Sequence, residues 1–358
     1  MKLNRLEAIL NKMKENNIPQ MLVTDPTSIF YLAGKMIHPG KRLLALYLSV
    51  ENNHKLFVNE LFPVSEDLGV EKVWFNDTQD GVKIICENIN NNETLGIDKT
   101  WQAKFLLHLM ELNGATKYID SSFIIDTLRM CKDDEEKELM RNASRINDTA
   151  MAKLQQALTN ELTEKQMVGE LATFYDELGA EGFSFSPIVA YGANGAEPHA
   201  SSGNATIKVG DCIILDIGCK KDNYCSDMTR TVFYKEAPAK AKEVFEIVLE
   251  ANKRAIAMVK PGVRFCDIDN AARSYITEKG YGKYFTHRTG HSIGLETHDM
   301  GDVSSINTDT LKPGMIFSVE PGIYLPGEFG VRIEDLVLVT EDGHEILNKH
   351  TKELNIIG

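Results

Sequence analysis

Four carboxylates stand where a carboxylate is expensive. Asp216 sits in the middle of the strand-like run CIILDIGC, Cys212 to Cys219, and Asp227 follows eleven residues later in CSDMTRT. Glu320 lies between Val319 and Pro321 in FSVEPG, and Glu334 lies among branched apolar residues in GVRIEDLVLV. An ionised acid in an apolar strand needs a cation or a set of donors to meet it. The polar turn over Lys220 to Asn223 reads as a hairpin that would set Asp216 and Asp227 side by side. A single buried acid is usually satisfied by a salt bridge. Four of them, in a chain that also carries a histidine and glycine motif, point instead to divalent metal, because a metal pair compensates many buried negative charges at once.

The motif is THRTGHSIGLETHD, Thr286 to Asp299, which holds three of the nine histidines. His287 and His291 stand four apart, as two ligands on one helical face do in HExxH zinc proteases. The glutamate of that motif is missing, and Gly290 and Gly294 bracket His291. Glycine on both sides indicates an extended or turning backbone that comes close to something. The helical pair is therefore disfavoured, and His291 is expected to be a lone ligand.

The elements that must carry these residues follow from length and periodicity. At 358 residues the chain is long for one core, so two domains are expected. Up to about residue 128, helix-like and strand-like pieces alternate: an amphipathic start, QMLVTD, SIFYLAG, LLALYLSV, KLFVNE, KVWF, a helical run from Gly81 to Ile89, TLGID, and a helix near Trp101 to Leu112. This is the rhythm of an α/β domain. A second domain, residues 129–358, starts where Asp133, Asp134, Glu135 and Glu136 crowd the first turn of a long helix. It continues with a helix from about Thr163 to Leu178, strands FSFSPIVAYG, CIILDIGC and DMTRTVFY, and helices over Ala237 to Val259 and Cys266 to Lys279. The strand-like MIFSVEPGIYL and GVRIEDLVLVT end the chain, giving an α+β domain.

Composition excludes some partners. Lys and Arg total 39 against 52 acids, a net charge of −13, with no basic cluster able to track a phosphate backbone, so no nucleic acid is expected. No run approaches the roughly 20 apolar residues of a membrane span, and the N-terminus has helical rather than signal-peptide spacing. The six cysteines form no CxxC pair, as expected for reduced thiols in a cytoplasmic protein.

Taken in order, Asp216, Asp227, His291, Glu320 and Glu334 resemble the five-ligand dinuclear site of the pita-bread metallopeptidases: methionine aminopeptidases, Xaa-Pro aminopeptidases and prolidases. The pieces that carry the resemblance are LDIG, SDMTRT, GHSIGLETHD, VEPGIY and GVRIED, with PHA at Pro198 to Ala200. It covers roughly residues 130 to 358. The part before it resembles the N-terminal domain of the prolidase and Xaa-Pro aminopeptidase branch.

The resemblance implies two divalent ions, with manganese the leading candidate and cobalt or zinc the alternatives. Asp216 would hold one ion, Asp227 and Glu334 would bridge both, and His291 with Glu320 would complete the shell of the second ion. Glu320 would also accept a proton from the attacking water. His199 and His298 resemble the family's two further histidines, which stabilise the tetrahedral intermediate or position substrate. Arg332 would orient a ligand carboxylate or meet a substrate carboxylate, and His287 would make a supporting hydrogen bond. Arg288 stands where many prolidases have a small residue, which bears on substrate preference. Tyr191 and Tyr224 are candidates for the pocket wall or for ordinary packing.

The implied substrates are small peptides with proline second, and the implied assembly is a homodimer. An Xaa-Pro bond is a tertiary amide without an N–H, so peptidases that need that donor handle it poorly. Two other readings stand beside this one. A non-catalytic pita-bread binding module would be expected to have lost ligands, and a creatinase-like amidinohydrolase shares both domains but not this ligand set.

Overall fold

The computed structural model describes residues 1–158 and 162–358 and divides into two compact units, Met1–Leu128 and Arg129–Gly358. In the first unit, strands β1 (Gln20–Val23), β2 (Ala45–Ser49), β3 (Lys55–Asn59), β4 (Glu71–Phe75), β5 (Thr94–Ile97) and β6 (Lys117–Asp120) form one mixed sheet in the order β4-β3-β2-β1-β5-β6. Helices α1 (Leu3–Glu15), α2 (Pro26–Ala33), α3 (Gly81–Cys86), α4 (Ala103–Glu111) and α5 (Ser122–Met130) accompany it. SIFYLAG falls in α2, which the sequence marks at both ends. Asp25 caps the first turn through the Thr27 and Ser28 amides, Pro26 fills the first helical position, and Gly34 closes the helix at φ 71°.

The second unit holds the candidate site. Helix α6 (Asp134–Ala157) opens with a reciprocal capping box between Asp133 and Glu136, so the acid cluster there serves as a cap as well as a complement to the dipole. Thr163 and Gln166 do the same for α7 (Glu164–Glu177). These helices share a core with β7 (Ile188–Tyr191), β8 (Cys212–Ile217) and, beyond the small ribbon β9 (Lys220–Lys221) and β10 (Tyr224–Cys225), with β11 (Met228–Tyr234). The expected hairpin is present: β8 and β11 pair antiparallel, with Thr229 opposite Asp216. Only Ile188–Tyr191 of the predicted strand FSFSPIVAYG is strand. Pro187 has no amide hydrogen to give a ladder, and the strand begins after it.

A second helix pair, α8 (Ala239–Ala257) and α9 (Phe265–Glu278), shares another core with most of the last strands. These are β12 (Gly290–His291), β13 (Asp302–Val303), β14 (Ile316–Val319), β15 (Gly322–Leu325), β16 (Phe329–Arg332), β17 (Asp335–Val339), β18 (His344–Ile346) and β19 (Ile356–Ile357). Here the structure corrects the sequence reading: MIFSVEPGIYL and GVRIEDLVLVT are each two strands. The chain pairs β14 with β17 and then β15 with β16, and both ladders open at one place. Glu320 and Pro321 lie in one gap, and Ile333 and Glu334 lie in the other. Pro321 cannot donate to a ladder, which accounts for the first break.

All six cysteines are free thiols, and no helix among the described residues is long and apolar enough to cross a membrane.

Candidate metal centre

Asp216, Asp227, His291, Glu320, Glu334, His199, His298 and Arg332 all line one cavity of about 570 Å³. Asp216 is the one acid within a strand, and Asp227 immediately precedes β11. Backbone bonds fix the two acids in the gaps: the Glu320 amide donates to Thr289 O at 2.7 Å and the Glu334 amide to Thr229 O at 3.1 Å. His291 lies in extended backbone, paired with Asp302, so the four-residue spacing from His287 does not make a helical ligand pair. Gly290 explains the close approach. A Cβ there would lie 1.9 Å from the Ser318 carbonyl oxygen, so no side chain fits without moving β14.

Asp227, His291 and Glu334 each bring a ligand atom within 4.8 Å of the other two. His291 Nε2 lies 3.4 Å from Glu320 Oε1 and 3.7 Å from Asp227 Oδ2. Its Nδ1 faces Ser292 O at 3.3 Å, which leaves the Nε2 lone pair directed at the acids. Burial pushes His291 down to about 4, so it is the neutral imidazole a metal needs. Burial and the neighbouring acids raise Asp227 and Glu334 well above the carboxylate range, and burial also raises Glu320. Asp216 Oδ1 and Asp227 Oδ1 are buried without a donor among the described residues. Crowded acids, orphaned oxygens and a neutral imidazole facing them form a donor set that fits divalent cations.

The remaining predicted residues surround this cluster. Arg332 donates from Nη2 to Asp216 Oδ2 at 2.6 Å, a salt bridge to a carboxylate predicted as a ligand. His298 is exposed, with its ring 4.2 Å from that of His291, and desolvation beside that ring brings it down to about 4. His199 is exposed where it lines the cavity. Arg288 lines it too, paired with Asp302.

Sequence reasoning missed Tyr324. Arg332 Nη1 donates to its hydroxyl at 2.8 Å, and that hydroxyl lies 2.8 Å from His287 Nε2, while His287 Nδ1 meets Arg288 O at 2.7 Å. A chain of hydrogen bonds thus runs from Asp216 through Arg332 and Tyr324 to His287. Burial raises Tyr324 to about 12, which keeps it a phenol. Thr229 was also missed; its hydroxyl donates to Glu334 Oε2 at 2.8 Å and meets Arg332 Nε at 3.2 Å. The alternation of Thr229 and Thr231 along DMTRTVFY was the available signal. Tyr191 and Tyr224 do not line the cavity. Tyr224 donates to Glu136 Oε1 at 2.8 Å and Tyr191 to Leu162 O at 3.4 Å, so both are packing residues.

Two helix pairs closing over strands that meet at a cavity of acids and imidazoles define a pita-bread metal-dependent hydrolase. Residues 138–341 match the profile of metallopeptidase family M24, and residues 5–131 match the creatinase/prolidase N-terminal domain. The chain belongs to metallopeptidase family M24. It is 38% identical over 352 residues to an uncharacterized peptidase of Staphylococcus saprophyticus, covering 97% of this chain and 100% of that one. Among solved structures it is similar to the Xaa-Pro dipeptidase from Bacillus anthracis, with a TM-score of 0.92, 32% identity, and coverage of 99% of both chains. Recombinant prolidase from Thermococcus sibiricus gives a TM-score of 0.93 at 32% identity, over 99% of this chain and 98% of that one.

Proposed function

We propose that this metallopeptidase hydrolyses the bond between an N-terminal residue and proline, with two divalent cations held by Asp216, Asp227, His291, Glu320 and Glu334. The observation that carries the reading is the convergence of those four acids and one neutral imidazole on a single cavity, two of their oxygens lacking a donor among the described residues. The likeness to structures named prolidase and Xaa-Pro dipeptidase supports the proline preference. Oxygen-rich ligation with one imidazole suits manganese better than a structural zinc, with cobalt the next choice. Such cations, when bound, supply Lewis acidity and lower the pKa of a water at neutral pH.

The protein's own residues supply the proton transfers and the positioning. Glu320 Oε1 accepts from Ser318 Oγ at 3.0 Å, which fixes the carboxylate, and burial makes it a better proton acceptor than a solvated acid. The proline nitrogen must gain a proton to leave as an amine, because the bare amide anion is too basic a leaving group. Glu320 takes that proton from the attacking water and returns it to the leaving nitrogen. His298, neutral and beside His291, and His199 donate to the carbonyl oxygen as charge develops on it. Arg332, through its bond to Oδ2, fixes the orientation of the Asp216 carboxylate.

The test is cleavage of Ala-Pro, Ala-Pro-Ala and Met-Ala-Ser after loading with manganese or cobalt. Cleavage of one or both proline peptides, lost in chelator and in Glu320→Ala, is expected. Equal rates on all three peptides contradict the proline assignment. Turnover of creatine in chelator would make it an amidinohydrolase, and no turnover by the loaded protein would make it a binding module. The expected homodimer is read by sedimentation of the same preparation.

A further inference from the structure

His298 stands on an excursion of the chain between β12 and β13 that is pinned on both sides of it. At the base, the Ser292 amide donates to Gly301 O at 2.8 Å and the Asp299 amide to Ser292 O at 2.9 Å. On one side of His298, Thr297 Oγ1 donates to Ser184 O at 2.9 Å. On the other, Asp299 is held by two cations, Arg129 at the end of α5 and Lys132 just before α6. Arg129 Nη2 donates to its Oδ1 at 2.5 Å, and Lys132 Nζ lies 3.5 Å from its Oδ2. The side chains of Arg129, Lys132 and Asp299 are 3%, 1% and 4% exposed, so this is a buried ionic cluster.

Stability is a poor explanation for such a cluster, because desolvating the charges offsets most of their attraction and a packed apolar set would serve as well. What charged partners give is direction. The fit is close: a Cβ at Gly294 would lie 2.6 Å from Asp299 Oδ2 and 2.9 Å from Lys132 Cε. The backbone of Lys132 is fixed in turn, its amide donating to Gly314 O at 2.8 Å. We infer that Arg129 and Lys132 are positioning residues, which act through Asp299 to hold the His298 imidazole over the cavity. The inference rests on the role proposed for His298, but the position of the ring can be tested without it.

Two arms decide the matter. In crystal structures of Asp299→Ala and of the shape-preserving Asp299→Asn, the His298 ring should leave its place 4.2 Å from the His291 ring. A ring that stays in both overturns the inference, whatever the protein cleaves. In kinetics on the best Xaa-Pro peptide, Asp299→Asn and Lys132→Met should each lower kcat by about 100-fold, the loss expected of a displacement near 1 Å. KM and bound metal should be little changed. In a His298→Ala background the same substitutions should cost almost nothing more. Full additivity with His298→Ala, or a loss traced to missing metal, would refute the positioning role. Failure of the wild-type protein to cleave any proline peptide would instead count against the proposed function, and the crystallographic arm would still decide this inference.

Discussion

The crowding of acids predicts an inversion of the usual effect of removing a ligand. In protein freed of cations, Asp227 and Glu334 present oxygens within 4.8 Å of each other. Two unit charges at that separation repel by about 3.5 kcal/mol at an effective dielectric near 20. Burial, reinforced by the neighbouring charges, raises both acids in the fold. An acid whose folded pKa is raised contributes its full stability below the unfolded value, near 4, and loses it as pH rises through the folded pKa. Chelated wild-type protein should therefore lose stability as pH rises from about 4. Asp227→Asn removes one of the two charges without changing shape. Each kcal/mol is worth roughly 2 to 4 °C for a domain of this size, so at pH 8 the chelated variant should melt up to about 7 to 14 °C above the chelated wild type. At and below about pH 4 the two should converge, and excess manganese should reverse their order, because the variant lacks a ligand. Thermal melts across that pH range, with EDTA or with manganese, measure all three effects. If chelated Asp227→Asn melts at or below the wild type at pH 8, the account of unmatched buried charge is wrong.

Three further outcomes follow from particular contacts. Gly290→Ala must push against the Ser318 carbonyl, 1.9 Å from the new methyl, so it should cost about 1–3 kcal/mol in urea unfolding and weaken metal binding through His291. Tyr324→Phe takes away the partner of His287 Nε2 and one of the two acceptors of Arg332 Nη1, and should cost about 1–3 kcal/mol, with metal stoichiometry unchanged. Arg288→Ser removes the exposed cation of the cavity wall, and it should change the ratio of Ala-Pro to Ala-Pro-Ala cleavage, since only the dipeptide's carboxylate ends near the proline.

The chemistry of the site was legible because buried acids conflict with apolar strands, and that conflict is visible one residue at a time. The geometry that resolves it was not. MIFSVEPGIYL and GVRIEDLVLVT read as unbroken apolar runs, since a change of sheet partner leaves no mark on hydrophobic periodicity. Tyr324 was hidden for a related reason. A tyrosine in an apolar strand reads as packing, and its partners His287 and Arg332 lie 37 and 8 residues away. Tyr191 and Tyr224 invited the opposite error, being near the motifs in sequence while their hydroxyls bond elsewhere. In the first unit, KYID and SFIIDTLRM are β6 and α5, short elements whose mixed polarity gave no clear period.

The gaps in the two ladders also explain how so much like charge can be held in one place. An acid inside a continuous ladder projects perpendicular to its sheet, and four such acids would have to come from parallel positions on neighbouring strands. Where the ladders open, the backbone of Glu320 and Glu334 is released from its strand partner and bonds elsewhere. Glu320 takes Thr289, two residues before His291, and Glu334 takes Thr229, two residues after Asp227. Each acid is therefore tied through the main chain to a segment that carries another predicted ligand. A donor set fixed in this way does not depend on any one side chain for its shape. That is why removing the Asp227 charge should relieve repulsion in the metal-free protein rather than collapse the site.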